Sequence, residues 1–141
     1  MLNIKALFTE ILKWINRDTS PKVLWSGGSY MLAAQTANLS ETLQNQHHGI
    51  VLIWSGYYDG HAQDTDWFYQ FVSKYHVSLH GGQGVGTGLM SNASATRIGS
   101  KYVYIYNNRI TGNDANDDTG TTSGGITRSN NCWVLRYVLG V

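Results

Sequence analysis

The chain lacks the features that mark exported and membrane-spanning proteins. It contains one cysteine, Cys132, so no internal disulfide can form. No run approaches the roughly 20 apolar residues that a helix needs to cross a bilayer. The segment Met1 to Asn16 differs from a signal peptide, because Lys5, Glu10 and Lys13 interrupt its apolar residues and no small-residue cleavage site follows. We therefore expect a protein made in a cytoplasm without a signal peptide and without membrane insertion.

Charge is also scarce. Only 13% of the residues are charged and the net charge is +1, whereas soluble proteins average about a quarter charged residues. A near-neutral chain offers no electrostatic surface for nucleic acid. The chain is nevertheless not disordered by composition, since five Trp, nine Tyr and three Phe provide ample surface to bury. The length of 141 residues suits one domain.

Residues 3–17 place apolar side chains at helical spacing and predict an amphipathic helix. Asn3 is a suitable N-cap, and Pro21 ends the helical pattern. The helix packs either on its own β-domain or, through two a/d pairs, in a coiled coil, and the sequence leaves both open. We expect residues 1–20 to serve oligomerisation or docking through the apolar residues Ile4, Leu7, Phe8, Ile11, Trp14 and Ile15.

Residues 21–141 carry short apolar runs separated by turn residues, with 16 glycines in the whole chain. This pattern predicts an antiparallel β-sandwich or jelly-roll-like domain. Gly49 to Trp54 is the most apolar run and predicts a central strand. The other predicted strands are 22–25, 30–32, 36–39, 67–73, 75–79, 89–90, 96–98, 101–106, 109–112 and 132–139.

Two loop motifs resemble ligand sites. Gly81 to Gly88 lacks the Gly-Lys-Ser/Thr ending of a phosphate loop, so a flexible loop or bulge is expected there. Asp114, Asn116 and Asp118 alternate as in calcium loops. The glycine and glutamate that an EF-hand needs at its sixth and twelfth positions are missing, so we expect a solvated turn and no metal. A cation site of another type is the alternative.

The sequence carries no motif of a known catalytic site. Cys132 opens an apolar run and is expected to be a small buried hydrophobe rather than a nucleophile. The five histidines match no zincin motif. Asp59, Asp64 and Asp66 share one loop, and a pair of them facing each other would be needed for a small glycoside hydrolase. We expect a protein that is not an enzyme and has no cofactor, with that hydrolase as an alternative.

Aromatic and polar side chains are mixed in the predicted loop 55–66 and just after it. Flat rings with polar tips suit stacking on sugars or on a partner protein. The alternative is that these rings cap the end of the sandwich core. The predicted ligand-binding residues are Tyr57, Tyr58, Asp59, His61 and Trp67.

From Lys22 to Val141 the chain resembles the C-terminal β-module of tail, baseplate and minor structural proteins of phages and prophages of Gram-positive bacteria. The order and spacing of nine segments carry the resemblance: Val23–Gly27, Tyr30-Met31, Thr36–Ser40, Gly49–Ser55, Val72–Tyr75, Ile98–Ile105, Ile110–Asp117, Gly125–Thr127 and Trp133–Val141. The resemblance implies a non-catalytic virion protein, synthesised in the bacterial cytoplasm, that contributes to host-surface attachment.

The resemblance also implies partners. Such modules work as homotrimers among other tail and baseplate proteins, and the expected external ligand is a host cell-wall saccharide. They generally follow longer upstream sequence, whereas here a single helix precedes the module. The alternative function, from a different class, is a carbohydrate-binding module that acts as a monomer.

Overall fold

The structure is a computed structural model that describes residues 3–15, 20–91, 97–121, 123–125 and 127–141. The predicted β-domain behind one N-terminal helix is confirmed. The helices are α1 (Ile4–Ile15) and the one-turn α2 (His76–His80). The strands are β1 (Lys22–Ser29), β2 (Thr36–Asn38), β3 (Gly49–Tyr58), β4 (His61–Ala62), β5 (Phe68–Ser73), β6 (Gly84–Ser91), β7 (Arg97–Ile105), β8 (Arg109–Thr111), β9 (Thr119–Thr121), β10 (Thr127–Ser129) and β11 (Trp133–Gly140).

The strands form two sheets. In the first sheet the order is β1-β11-β3, with β5 and then β4 along the other side of β3. In the second sheet β7 is central, with β6 on one side and the pairs β8-β2 and β10-β9 on the other. Among the described strands the pairing is antiparallel except for one parallel bridge between β10 and β7. The predicted central position of Gly49–Trp54 is confirmed, because β3 pairs with both β11 and β5.

The hydrophobic core lies between the two sheets. The first sheet contributes alternate residues of its strands, and the second sheet contributes residues of β2, β7 and β8, as expected when side chains of a strand alternate between faces. Trp54 and Trp133 are the largest fully buried side chains. The core cluster includes Leu24, Ile50, Leu52, Trp54, Val72 and Leu135 from the first sheet and Ala37, Val103, Ile105 and Ile110 from the second.

The first sheet has two distinct ends. Lys22, where the chain enters β1, pairs with Gly140, and Gly140 pairs with Ile50 near the start of β3. We call this the proximal end. At the far end of β3, Tyr58 pairs with His61 in the β3–β4 hairpin, and we call this the distal end. The ten residues of β3 separate the two ends by about 30 Å.

The glycine-rich segment 81–88 was predicted as a loop or bulge, and this prediction is wrong for most of it. Gly84 begins the eight-residue strand β6, which pairs with β7 along its whole length. The reason lies in the partner strand, where the ring of Tyr102 covers Gly84 and leaves no room for a side chain there. Aromatic cover of this kind compensates for the missing side chains of glycines in strands.

Other local predictions also need correction. Tyr75–Leu79 was predicted as a strand, but His76–His80 forms α2, which ends at Gly81 and Gly82, both with positive φ. The loop 113–125 contains the 3-10 helix Asp114–Asp117 and β9. Cys132 belongs to the 3-10 helix Asn130–Cys132 and is half-buried rather than buried. The predicted strand 96–98 lies partly outside the described residues, since Thr96 is one of those not described.

α1 confirms the predicted helix over residues 4–15, and the predicted residues 16 and 17 lie outside the described ranges. The predicted N-cap is confirmed, because Asn3 Oδ1 accepts a hydrogen bond of 3.1 Å from the amide of Ala6. None of the twelve residues of α1 is buried. Within the described ranges, no helix has the length and apolarity that crossing a bilayer would require.

Candidate functional site

The β3–β4 hairpin holds four of the five predicted ligand-binding residues. Asp59 and Gly60 form its turn with φ of 56° and 79°, as a two-residue hairpin turn requires. Tyr57 donates its hydroxyl proton to the carbonyl of Gly60 (3.1 Å), and His61 Nδ1 donates to the carbonyl of Asp59 (3.0 Å). Tyr58 shares a 2.8 Å hydrogen bond with the Thr65 hydroxyl. The hairpin is therefore braced internally, with Asp59 and His61 exposed at its tip.

Trp67, the fifth predicted residue, packs in a different setting. Its ring stacks on that of Tyr137, with centroids 6.4 Å apart and an angle of 25° between the planes. The guanidinium of Arg136 lies 5.4 Å from the Trp67 ring centroid. Arg136 is held in turn by Ser55 Oγ and the Gln63 carbonyl, each at 3.1 Å, and by Asp64 Oδ1 at 3.3–3.4 Å. One arginine thus ties the loop between β4 and β5 to the first sheet.

The side of the first sheet that points away from the core carries large apolar side chains on all four of its long strands. Tyr69 and Phe71 pair with Ile53 and Val51, and residues paired across a ladder share a face. The same register continues to β11 and β1. We call this surface the outer face; its residues are Val23, Val51, Ile53, Tyr69, Phe71, Tyr137 and Leu139.

Part of the outer face is strongly exposed. The exposed fractions are 68% for Tyr69, 58% for Phe71 and 57% for Val23. This surface was not predicted from the sequence, although β5 carries a signal for it. Phe68 and Val72 point to the core, and Tyr69 and Phe71, on the opposite side of the strand, are also large and apolar. A strand with one face in water normally alternates between apolar and polar residues.

α1 presents a second exposed apolar surface. All six residues predicted for oligomerisation are exposed, from 44% for Ile11 to 75% for Ile4 and Trp14. On the polar side Lys13 Nζ lies 2.9 Å from Glu10 Oε1, in a solvent-exposed pair that adds little stability. One of the two predicted alternatives was that α1 packs on its own β-domain. The structure gives no support to that alternative, because none of the residues of α1 is buried.

A lysine is buried near the distal end, between the two sheets. Lys101 is 1% exposed, and its Nζ donates to the carbonyls of Asn116 (2.6 Å) and Tyr30 (3.3 Å). Nζ also lies 5.7 Å from the centroid of the Trp54 ring. Burial lowers the pKa of Lys101 from 10.5 to about 7, and the more distant Asp117 carboxylate opposes that shift only in part.

Tyr30 belongs to the same cluster. Its ring meets that of Tyr57 edge to face, with centroids 5.0 Å apart. Burial, followed by the interaction with the Tyr57 hydroxyl, raises the pKa of Tyr30 to about 12. An amine with a lowered pKa is suited to nucleophilic catalysis when substrate can reach it. Lys101 is almost completely enclosed, so we interpret this cluster as structural.

The three residues of the candidate cation loop turn to different partners. Asp114 Oδ1 accepts from the amide of Ala33 at 3.0 Å, and Asp118 lies 3.9 Å from Arg128. The buried amide of Asn116 bonds to backbone groups of Tyr102 and Met31. In the described part of the chain, no three His, Cys, Asp or Glu side chains are grouped as a metal site would need. A cation held by all three side chains would therefore compete with these hydrogen bonds and with the ion pair.

A surface cavity of about 300 Å³ lies beside α2, at the proximal end. It adjoins the outer face through Phe71. Two of its residues are histidines one helical turn apart, His76 and His80, with ring centroids separated by 5.5 Å. His76 Nε2 donates to the carbonyl of Gln83 at 3.1 Å. The walls are Phe71, Val72, Ser73, Tyr75, His76, Leu79, His80 and Val85.

Comparison of the chain with models of known protein families finds no match, and comparison with curated proteins finds none either.

Proposed function

We propose that this chain is a non-catalytic structural protein of a phage or prophage tail or baseplate, where it contributes to attachment to the host surface as a homotrimer. The observation that carries the proposal is the exposed apolar stripe of α1 in front of a β-sandwich. The order of sequence segments that resemble the virion module agrees with it. Other tail or baseplate proteins would be its neighbours in the particle.

The physical argument for assembly starts from the length of α1. A helix of twelve residues is marginal in water by itself and gains its stability from packing. In the part of the chain that the structure describes, none of the apolar residues of α1 is buried. The a/d positions Ile4, Leu7, Ile11 and Trp14 suit a parallel bundle in which three copies bury this stripe together.

The layout of the β-domain suits attachment at the opposite end. α1 leads into β1 at the proximal end, while the β3–β4 hairpin lies about 30 Å away along β3. A trimer joined by α1 would therefore hold three hairpins away from the joint. The exposed hairpin residues Asp59 and His61, with the half-buried Tyr57, Tyr58 and Trp67, are the proposed contacts for a host cell-wall saccharide.

Mass in solution tests the assembly. We expect sedimentation to give three times the chain mass of 15.7 kDa for the wild type. Ile11→Glu should shift the chain toward the monomer, because it places a carboxylate in the buried stripe. Thr9→Glu is the matched control on the polar side of the same helix and should remain trimeric. A wild-type chain that stays monomeric at micromolar concentration, or an Ile11→Glu chain that stays trimeric, would contradict the proposal.

The second candidate function is a monomeric carbohydrate-binding module. The stacked rings of Trp67 and Tyr137 beside Arg136 favour it, because flat aromatic surfaces with a nearby polar group bind sugar rings. An array of bacterial cell-wall polysaccharides tests binding for both candidates. Binding by a monomer would favour the second. Saccharide binding that survives alanine at Tyr57, Tyr58 and Trp67 together would show that the contacts lie elsewhere.

A further inference from the structure

The outer face of the first sheet is too apolar to be an ordinary solvent-facing surface. None of its seven residues is charged, and one cation, the Arg136 guanidinium, lies at its distal margin, 5.8 Å from the Tyr137 ring centroid. Tyr69, Phe71 and Val23 are each more than half exposed. Contiguous apolar patches of this kind mark interaction sites in soluble proteins. The face lies on the edge strands as well as the central ones, so it is open to a large partner.

A second observation concerns α1. Twelve residues are about 18 Å of helix and less than two full heptads. Stable protein interfaces bury roughly 800 Å² on each partner, and a seam this short supplies only part of that area. A trimer held by α1 therefore needs a further contact made by the β-domains.

The chain connectivity indicates which surface makes that contact. Seven Cα–Cα steps separate Ile15 at the end of α1 from Lys22 at the start of β1, a reach of at most about 25 Å. Three β-domains on such short connections must meet near the proximal end. Two apolar surfaces reach that end, the walls of the cavity beside α2 and the outer face. The outer face is the one that borders the entry of the chain into β1, since Val23 follows Lys22 directly and pairs with Leu139.

We infer that three copies of this chain turn the outer face toward their common axis, so that the sheet surface continues the apolar seam of α1. The occupant of the face is a second and a third copy of the same chain. This inference rests on the proposed trimer. It predicts that Val23, Tyr69 and Phe71 are buried in the assembly although they are exposed in one chain.

Cysteine labelling of the full chain tests the inference. In a Cys132→Ser background, Val23→Cys places a nearly isosteric thiol on the outer face, and Met90→Cys places one on the edge strand β6 of the other sheet. The two native side chains are equally exposed in one chain, at 57% and 55%. In the assembled protein we expect a maleimide to label Val23→Cys about tenfold or more slowly than Met90→Cys, because packed interface cores exclude water. Adding Ile11→Glu should remove the difference.

The possible labelling results distinguish the inference from the proposed function. A trimer that labels both thiols equally fast overturns this inference and leaves the proposed function intact. A monomeric wild type overturns both. Slow labelling of Val23→Cys that persists after Ile11→Glu has dissociated the chain means that the face is covered within one chain, which also overturns the inference. As an independent check, Phe71→Lys should lower the sedimenting mass while Met90→Lys does not.

Discussion

The buried amine of Lys101 should make the folded chain more stable as the pH rises above 7. Its pKa is 10.5 in the unfolded chain and about 7 in the folded one, so between these values the unfolded chain holds the extra proton. The free energy of unfolding therefore rises with pH, by at most about 1.4 kcal/mol per pH unit. From pH 7 to pH 9 the expected gain is about 2 kcal/mol. Below pH 7 the contribution levels off at its least favourable value.

Lys101→Met is the informative variant, because it keeps most of the side-chain volume and removes the titrating group. The carbonyls of Asn116 and Tyr30 lose a donor, which costs about 1–3 kcal/mol for a buried group. The absolute stability of the variant is therefore a poor criterion, and its pH dependence is the measurement to use. Urea unfolding followed by tryptophan fluorescence at pH 7, 8 and 9, at one fixed protein concentration, gives that dependence.

We expect the wild type to gain stability across this range and Lys101→Met to lack that gain. The control is Lys22→Met, which removes an exposed lysine paired with Glu41 at 3.5 Å and should keep the wild-type slope. Equal slopes for the wild type and Lys101→Met would refute the reasoning. That result would mean that Lys101 keeps its proton on folding and that its two carbonyl partners compensate for the lost hydration.

Three further predictions concern the same part of the fold. Asn116→Ala removes three hydrogen bonds between this buried side chain and the backbone and should lower the free energy of unfolding in urea by about 3 kcal/mol. Gly112→Ala puts a Cβ onto the backbone of Met31 and should cost about 3 kcal/mol, whereas Gly28→Ala, with open space around it, should be nearly neutral in thermal unfolding. Between pH 10 and 12 the wild type should lose stability, because the Tyr30 hydroxyl ionises near pH 10 in the unfolded chain and only near pH 12 in the folded chain. Tyr30→Phe should lose less stability over the same range.

Strands in which apolar and polar residues alternate, or in which nearly all residues are apolar, could be predicted from the sequence. The residues that contact these strands in the fold could not be predicted. The segment Lys101–Tyr106 was predicted as a strand, and its parity places Val103 and Ile105 in the core. The same parity places Lys101 inside, which the residue type alone argues against. Its burial depends on Asn116 and Tyr30, which come near it only in the folded chain. Likewise, nothing in the sequence around Gly84 shows that the ring of Tyr102 will cover it.

The candidate site shows a similar division. Asp59-Gly60 is a strong local hairpin signal, yet residues 55–66 were predicted as one loop, because the polar residues around the turn obscured the two strand ends. The outer face could have been predicted from β5, because this strand has apolar residues on both of its sides. The pairing of Trp67 with Tyr137 could not, because it brings together positions 70 residues apart through the register of β11 and β3.

The two exposed apolar surfaces, α1 and the outer face, help to explain why the chain has so few charged residues. A composition with 13% charged residues predicts extensive burial. Seven large apolar side chains of α1 are nevertheless exposed in a single chain, as are Val23, Tyr69 and Phe71 on the outer face. A partner that binds the folded chain and not the unfolded chain stabilises the fold, and a second copy of the chain can be that partner. If α1 and the outer face are buried together in a trimer, the composition agrees with the burial, and the domain becomes less stable as it is diluted. Unfolding midpoints that do not change with protein concentration would contradict this explanation.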